Sequence, residues 1–230
     1  MLIGQIIQRI QSLYSKGVQS DDTRLTTRHI YNKMLTLRSK LITQKVKKKQ
    51  LISDWSYVLL KCVEVIKIDA HECPCLPQIG CQVYRTKEKI PKPLVDMNNH
   101  LIKWIMSIES SVIFDETSRE RELHIKGQRY TNRKKRYLIE DGYIYFYGGN
   151  PGKAVKIKIL IHDPIEAINF PSICGDEENC TSPLDLEFAI DEDLIDDLVT
   201  MAVPELIGVF NQSQEDLTNN SKDNPTEQSK

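Results

Sequence analysis

The sequence lacks most of the signals by which enzymes and membrane proteins can be recognised. Its 230 residues contain no G-x-S-x-G, H-E-x-x-H or C-x-x-C string and no dinucleotide-binding glycine pattern. No nucleophile elbow, zincin helix or Rossmann turn is therefore written into it, and no enzyme is expected. No apolar run approaches the roughly 20 residues needed to cross a bilayer. The N-terminal MLIGQIIQRIQ has no basic n-region and is interrupted by Gln5 and Gln8, which argues against a secretory signal or membrane anchor. Six cysteines are too few for a disulfide scaffold in a chain of this length, so reduced thiols and an intracellular place of synthesis are expected. A large net charge is missing too: the formal value is -1, which marks neither a nucleic-acid binder nor an acidic solvating chain.

What the chain does have is separated charge. Arg24 to Lys49 holds nine Lys or Arg and no acid, whereas Asp176 to Asp197 holds ten Asp or Glu and no base. The basic stretch reads as a helix over about 26–50, capped by Thr26 or Thr27, with Ile30, Met34, Leu37 and Leu41 as its apolar stripe. Lys45, Lys47, Lys48 and Lys49 stand at its end, where cations complement the helix dipole. An earlier amphipathic helix is predicted over about 2–15 from Ile3, Ile6, Ile7 and Ile10. A final helix over about 192–210 follows Asp191 as N-cap, with Glu192 and Asp193 at its positive end and Pro204 kinking or restarting it.

Between these helices the pattern is that of strands. Tyr143, Tyr145 and Tyr147 alternate with Ile144 and Phe146, and Val155, Ile157 and Ile159 alternate with Lys156 and Lys158. With GGNPG between them, the two runs read as a β-hairpin. Further strands are expected over Trp55–Ile68, at Cys81–Lys87, over Leu101–Ile108 and Ser111–Phe114, and as an edge strand over Leu184–Ile190. Ser118 is placed to cap a short helix, SRERELHI, whose Glu120, Arg121 and Glu122 read as solvated charges. The fold class is thus α+β: an antiparallel β-sandwich or barrel-like core with N-terminal helices and a C-terminal helix. The expected divisions are a helical segment 1–52, a β-rich core 53–190, a helix 191–211 and a flexible tail 212–230.

Three local clusters invite chemistry. His71, Cys73, Cys75 and Cys81 are metal-ligand residue types, but one residue separates Cys73 from Cys75 and no second cysteine pair exists. A zinc site, a disulfide and a Pro-rich loop of reduced thiols all remain open there. Arg133, Lys134, Lys135 and Arg136 form a basic run that suits a subunit or DNA-backbone contact, or a solvated loop. GGNPGKA resembles a P-loop only superficially: Ala154 replaces the hydroxyl residue and a strand follows. Cys174 and Cys180 flank an acidic loop that they could close, with reduced thiols the default.

Several strings together resemble one family: TRLTTRHIYNKMLTLRSKLITQKVKKKQ, CVEVIKIDAHECPC, YRTKEKIPKPL, RYLIEDGYIYF, VKIKILIHDP and DLIDDLVTMAVPELIGVFNQSQEDLTNNSKD. They are similar to the ring or collar proteins that join portal to tail in crAss-like bacteriophages. The resemblance implies a virion structural protein of the neck or tail, assembled in the host cytoplasm without a cofactor. It further implies about twelve copies around an axis, partnered by the portal and by other tail, ring or hub proteins, with genomic DNA passing through unread. A ring needs two different surfaces per subunit, so Lys45, Lys47, Lys48 and Lys49 are expected to meet a neighbour's Asp191, Glu192, Asp193, Asp196 and Asp197. Arg133 to Arg136 would touch the channel or a partner. From another class, the alternative is a zinc-stabilised nucleic-acid-binding protein using the basic helix and Arg133–Arg136, with strongly salt-dependent binding.

Overall fold

A computed structural model describes residues 1–17, 25–68, 83–96, 99–125, 134–174 and 182–210. The expected tail at 212–230 and the His71–Cys81 cluster lie outside the described residues.

The helices follow the apolar period. Helix α1 (Ile3–Tyr14) buries Ile3, Ile6, Ile7 and Ile10, and α2 (Thr27–Lys47) buries Ile30, Met34, Leu37 and Leu41. Thr26 caps α2, its hydroxyl accepting the His29 N–H at 3.3 Å. This helix ends at Lys47 rather than Gln50, and Lys49 takes a φ of 55° as the chain turns away. Two short helices, α3 (Arg119–Ile125) and α4 (Pro164–Ile168), lie within the β region. Helix α5 (Glu192–Phe210) runs unbroken through Pro204 instead of restarting there.

Nine strands follow in chain order: β1 (Val58–Ile68), β2 (Val83–Thr86), β3 (Val95–Asp96), β4 (Asn99–His100), β5 (Ile102–Ser107), β6 (Ile113–Glu116), β7 (Arg136–Glu140), β8 (Tyr143–Tyr147) and β9 (Ala154–Ile159). Strands β3 and β4 form a small separate pair. The other seven close a barrel in the order β1-β2-β8-β7-β6-β5-β9, with β9 returning to β1 through Val58↔Ile159 and Leu60↔Ile157. Closure leaves the barrel wall without an unpaired edge. One pair departs from the antiparallel expectation: β6 and β7 are parallel, Asp115 opposite Arg136, with α3 in the connection between them.

The expected hairpin around GGNPG does not form. Strand β8 instead pairs with β7, Glu140↔Tyr143 through Arg136↔Tyr147, about a turn in which Asp141 and Gly142 have φ of 53° and 84°. Both central residues are left-handed, which suits the twist of a two-residue hairpin. Strand β9 crosses to the other side of the barrel and lies between β1 and β5. As the chain leaves β8 it passes so close to β7 that a Cβ on Gly148 would stand 2.1 Å from the Lys134 carbonyl oxygen. Alternation fixes which way a strand's side chains face, not which strand lies beside it.

Two other expectations are corrected. Leu184–Ile190 is not an edge strand: it holds a 3-10 turn at Pro183–Asp185 and one bridge, Leu2↔Glu187. Cys174 is neither reduced nor joined to Cys180; it forms a disulfide with Cys62. That cysteine sits at a bulge in β1, with φ 50°, where the register against β9 shifts.

The apolar interior is divided. Helices α1, α2 and α5 share one core, in which Leu194, Leu198, Ala202 and Leu206 meet the buried isoleucines of α1 and the stripe of α2. The barrel encloses another, with Leu60, Ile105, Phe114, Ile144, Phe146, Val155, Ile157 and Ile159 pointing inward. The Phe114 and Phe146 rings meet edge to face at 5.1 Å. Each such side chain contributes about 1.5–3 kcal/mol by leaving water.

Candidate assembly surfaces

Where the helical layer meets the barrel, the joint is polar at its centre. Arg38, on the barrel-facing side of α2, is fully buried. Its Nε donates to the Ala189 carbonyl at 2.5 Å, Nη1 to Ile161 at 2.6 Å, and Nη2 to Ser56 at 3.1 Å. One guanidinium thereby joins α2 to the segments before β1, after β9 and before α5. Burial pushes its pKa down to about 10, the Tyr31, Asp163 and Asp191 groups opposing that shift. Beside it Tyr31 donates to Asp163 at 2.7 Å, and burial with that hydrogen bond raises the phenol well above its ordinary range. Ile42 of α2, Leu94 and Leu160 form a small apolar cluster at the same joint.

The basic end of α2 and the acidic start of α5 meet within one chain. Lys45 Nζ lies 2.9 Å from Asp191 and 2.7 Å from Asp193. Asp191 does not cap α5 with its side chain, as its position suggested; the carboxylate accepts the Ser53 N–H at 3.2 Å and the Ser56 hydroxyl. Burial works against the Asp191 charge, but the bonds from Ser56, Lys45 and Ser53 outweigh it and hold the carboxyl below its usual range. Lys45 is likewise raised: desolvation opposes its charge, and the bonds to Asp193 and Asp191 prevail. Asp196 pairs with Arg9 of α1 at 2.7 Å. The attraction assigned to neighbouring subunits is thus spent inside the chain for Lys45, Asp191, Asp193 and Asp196. Lys47, Lys48, Lys49, Glu192 and Asp197 are exposed.

The run at 133–136 divides. Arg133 lies outside the described residues, Lys134 is exposed, and Arg136 is buried. Arg136 Nε donates to Glu122 at 2.6 Å and Nη2 to the second oxygen of the same carboxylate at 3.1 Å. Both the channel contact expected of Arg136 and the solvated role expected of Glu122 are therefore corrected: the two form a forked pair that pins α3 to β7. Among the described residues no group of three or more His, Cys, Asp or Glu is placed to hold a metal. No helix among them is long and apolar enough to cross a membrane.

A surface that no motif announced lies on the barrel wall. Cross-strand neighbours share a face, so Leu59, Lys158 and Trp104 form one outward row and Lys156, Met106 and Ile113 the next. Ile113 is 58% exposed and Leu59 40%. Just before β1, Trp55 is 73% exposed, while its neighbour Asp54 pairs with Lys103 and, at 2.9 Å, with Lys158. A groove of about 370 Å³ opens beside Trp55 and Leu59, walled also by Met1, Ile168, Phe188 and Glu192. In the sequence, alternating Lys and branched residues in β9 betrayed an outward face; its apolar neighbours come from other strands and were not visible.

The comparison with curated proteins returns no match. The family model described as phage tail ring protein 2 matches residues 5–225, which takes in α2, every barrel strand, α5 and most of α1. With a match of that extent on a closed barrel carrying two charged helices, the chain belongs to the phage tail ring protein 2 family, the ring proteins of crAss-like phages.

Proposed function

We propose that this virion ring protein closes into a ring of about twelve copies in the neck or tail, connecting portal to tail and continuing the DNA channel. The observation that carries this reading is the family match across residues 5–225. The role is mechanical: the ring extends a passage and offers docking surfaces to the portal above and to tail, ring or hub proteins below. A net charge of -1 suits a channel wall, because affinity for the DNA backbone grows with the number of phosphates neutralised. Arg133, Lys134 and Lys135 remain candidates for contact with passing DNA or a neighbouring tail protein, and Lys47, Lys48 and Lys49 for contact between subunits. Assembly takes place in the host cytoplasm before the particle is complete.

Native mass spectrometry of the full chain, at low and moderate salt and with the portal protein added, tests the reading. A closed high-order oligomer, alone or on the portal, is expected. A chain that stays monomeric in both settings overturns it.

A further inference from the structure

A ring beyond a dimer cannot close through one self-complementary patch; each subunit must offer two different surfaces. The corner holding Lys45, Asp191 and Asp193 is a poor source of both, since its opposite charges already satisfy one another. The barrel wall has the better composition for one of them. Both tryptophans of the chain, Trp55 and Trp104, lie on it or at its head, together with Leu59, Met106 and Ile113. Tryptophan and methionine are enriched at the desolvated centres of interfaces. Lys61 and Lys156 flank this apolar spine; Lys61 is exposed and Lys156 partly so.

The opposite sign is displayed elsewhere. Helix α5 buries Leu194, Leu198, Ala202 and Leu206 toward α1 and α2, which leaves Asp193, Asp196, Asp197 and Pro204 along its outer stripe. Helix α2 contacts α5 on one side and, through Arg38 and Ile42, the barrel on the other. The acidic stripe therefore faces away from the barrel, and stripe and wall are distinct surfaces of one subunit. The pairs that Asp193 and Asp196 make with Lys45 and Arg9 leave those carboxylates 67% and 77% exposed, so they can be shared with further cations.

We propose that, in the ring read above, the outer barrel wall centred on Trp104, Met106 and Ile113 docks against the acidic start of α5 of the next copy. Lys61 and Lys156 meet Glu192 and Asp197 of that copy, and the tryptophans supply the apolar contact. The occupant of this wall is a second copy of the chain, selected by complementary charge.

The test uses the full-length chain in two charge-reversed forms, Lys61→Glu with Lys156→Glu and Glu192→Lys with Asp197→Lys. All four side chains reach solvent, so each form is expected to keep the wild-type melting temperature. Native mass spectrometry should show the ring fraction falling at least tenfold in each form. Equimolar mixing should restore rings containing equal numbers of the two, because every contact in an alternating ring is again complementary. Wild-type rings that persist in either reversed form, or a mixture that fails to recover, overturn this interface while leaving the ring itself standing. A wall whose reversal spares the ring but abolishes salt-sensitive retention of duplex DNA is a channel lining, which also overturns the proposal. A wild-type chain that forms no ring with or without the portal fails at the earlier reading instead.

Discussion

The helical layer and the barrel reach closure by opposite routes. The barrel is built from one stretch, Val58 to Ile159, and closes when its last strand finds its first. The helical layer is built from the two flanks of that stretch, α1 and α2 before it and α5 after it, and its core forms only when they meet. Each has its own apolar interior, yet the contact between them rests on a buried guanidinium serving three carbonyls. A joint of this kind fixes orientation more than it adds stability, since charged groups are costly to bury and their bonds must be aimed.

That contrast can be broken most severely at Arg38. Arg38→Met strands the Ala189, Ile161 and Ser56 carbonyls and should cost about 3–5 kcal/mol. Urea unfolding followed by tryptophan fluorescence, which reports the barrel wall, and by far-UV circular dichroism, which reports mainly the helices, should then separate into two transitions. Curves that still coincide would mean that apolar contacts at Ile42, Leu94 and Leu160 couple the layers by themselves.

A smaller effect is expected within the barrel. Cys62→Ser removes a bridge spanning 112 residues of sequence and should lower stability by about 2–4 kcal/mol under oxidising conditions. Addition of a thiol reductant should erase the difference from wild type; if the two proteins unfold alike even when oxidised, the bridge does not form in solution.

Asp191 sharpens the comparison at the joint. Asp191→Asn weakens the bonds from Lys45, Ser53 and Ser56 and should cost about 1–2 kcal/mol near neutral pH. Because the folded state holds this carboxyl below its ordinary value of 3.8, the stabilisation is present above that value and disappears as pH falls through the depressed one. The gap between variant and wild type should therefore narrow in acid. A gap that stays constant down to pH 2 would show that the loss arises from packing rather than charge. The least effect is assigned to Gly142→Ala, about 1 kcal/mol, since its φ of 84° penalises a side chain while an added Cβ meets only the Lys89 stem at 3.6 Å. Thermal melts of the purified variant would check it.

Much of the layer structure was legible in the sequence. Isoleucines at helical spacing announced α1, the stripe from Ile30 to Leu41 announced α2, and alternation placed the inward residues of β8 and β9. The pairing of those strands was not legible, because a period of two carries no information about neighbours. The Asp141-Gly142 dipeptide was the true hairpin signal, and the more conspicuous glycines of GGNPG masked it. Arg38 was hidden in plain view: within a helix rich in cations, one that turns inward cannot be told from those that do not. Glu122 and Arg136 stand fourteen residues apart around a connection, so local patterning made each look solvated. The acid and base clusters were found correctly as charges, but not that Lys45 would meet Asp191 and Asp193 of its own chain. The surface proposed to join neighbours, by contrast, draws one residue or two from each of several strands, a placement that only the barrel register reveals.

The flanking origin of the helical layer also sets an order of events during synthesis. Translation delivers α1 and α2 first, then the whole barrel, and α5 last of the three helices. The barrel can close while α1 and α2 still lack their third partner, and their apolar faces must wait on the ribosome until residues 192–210 emerge. The acidic stripe arrives on that same helix. An incomplete chain therefore carries only one of the two surfaces that ring closure requires, and can at most end a growing arc of subunits without extending it.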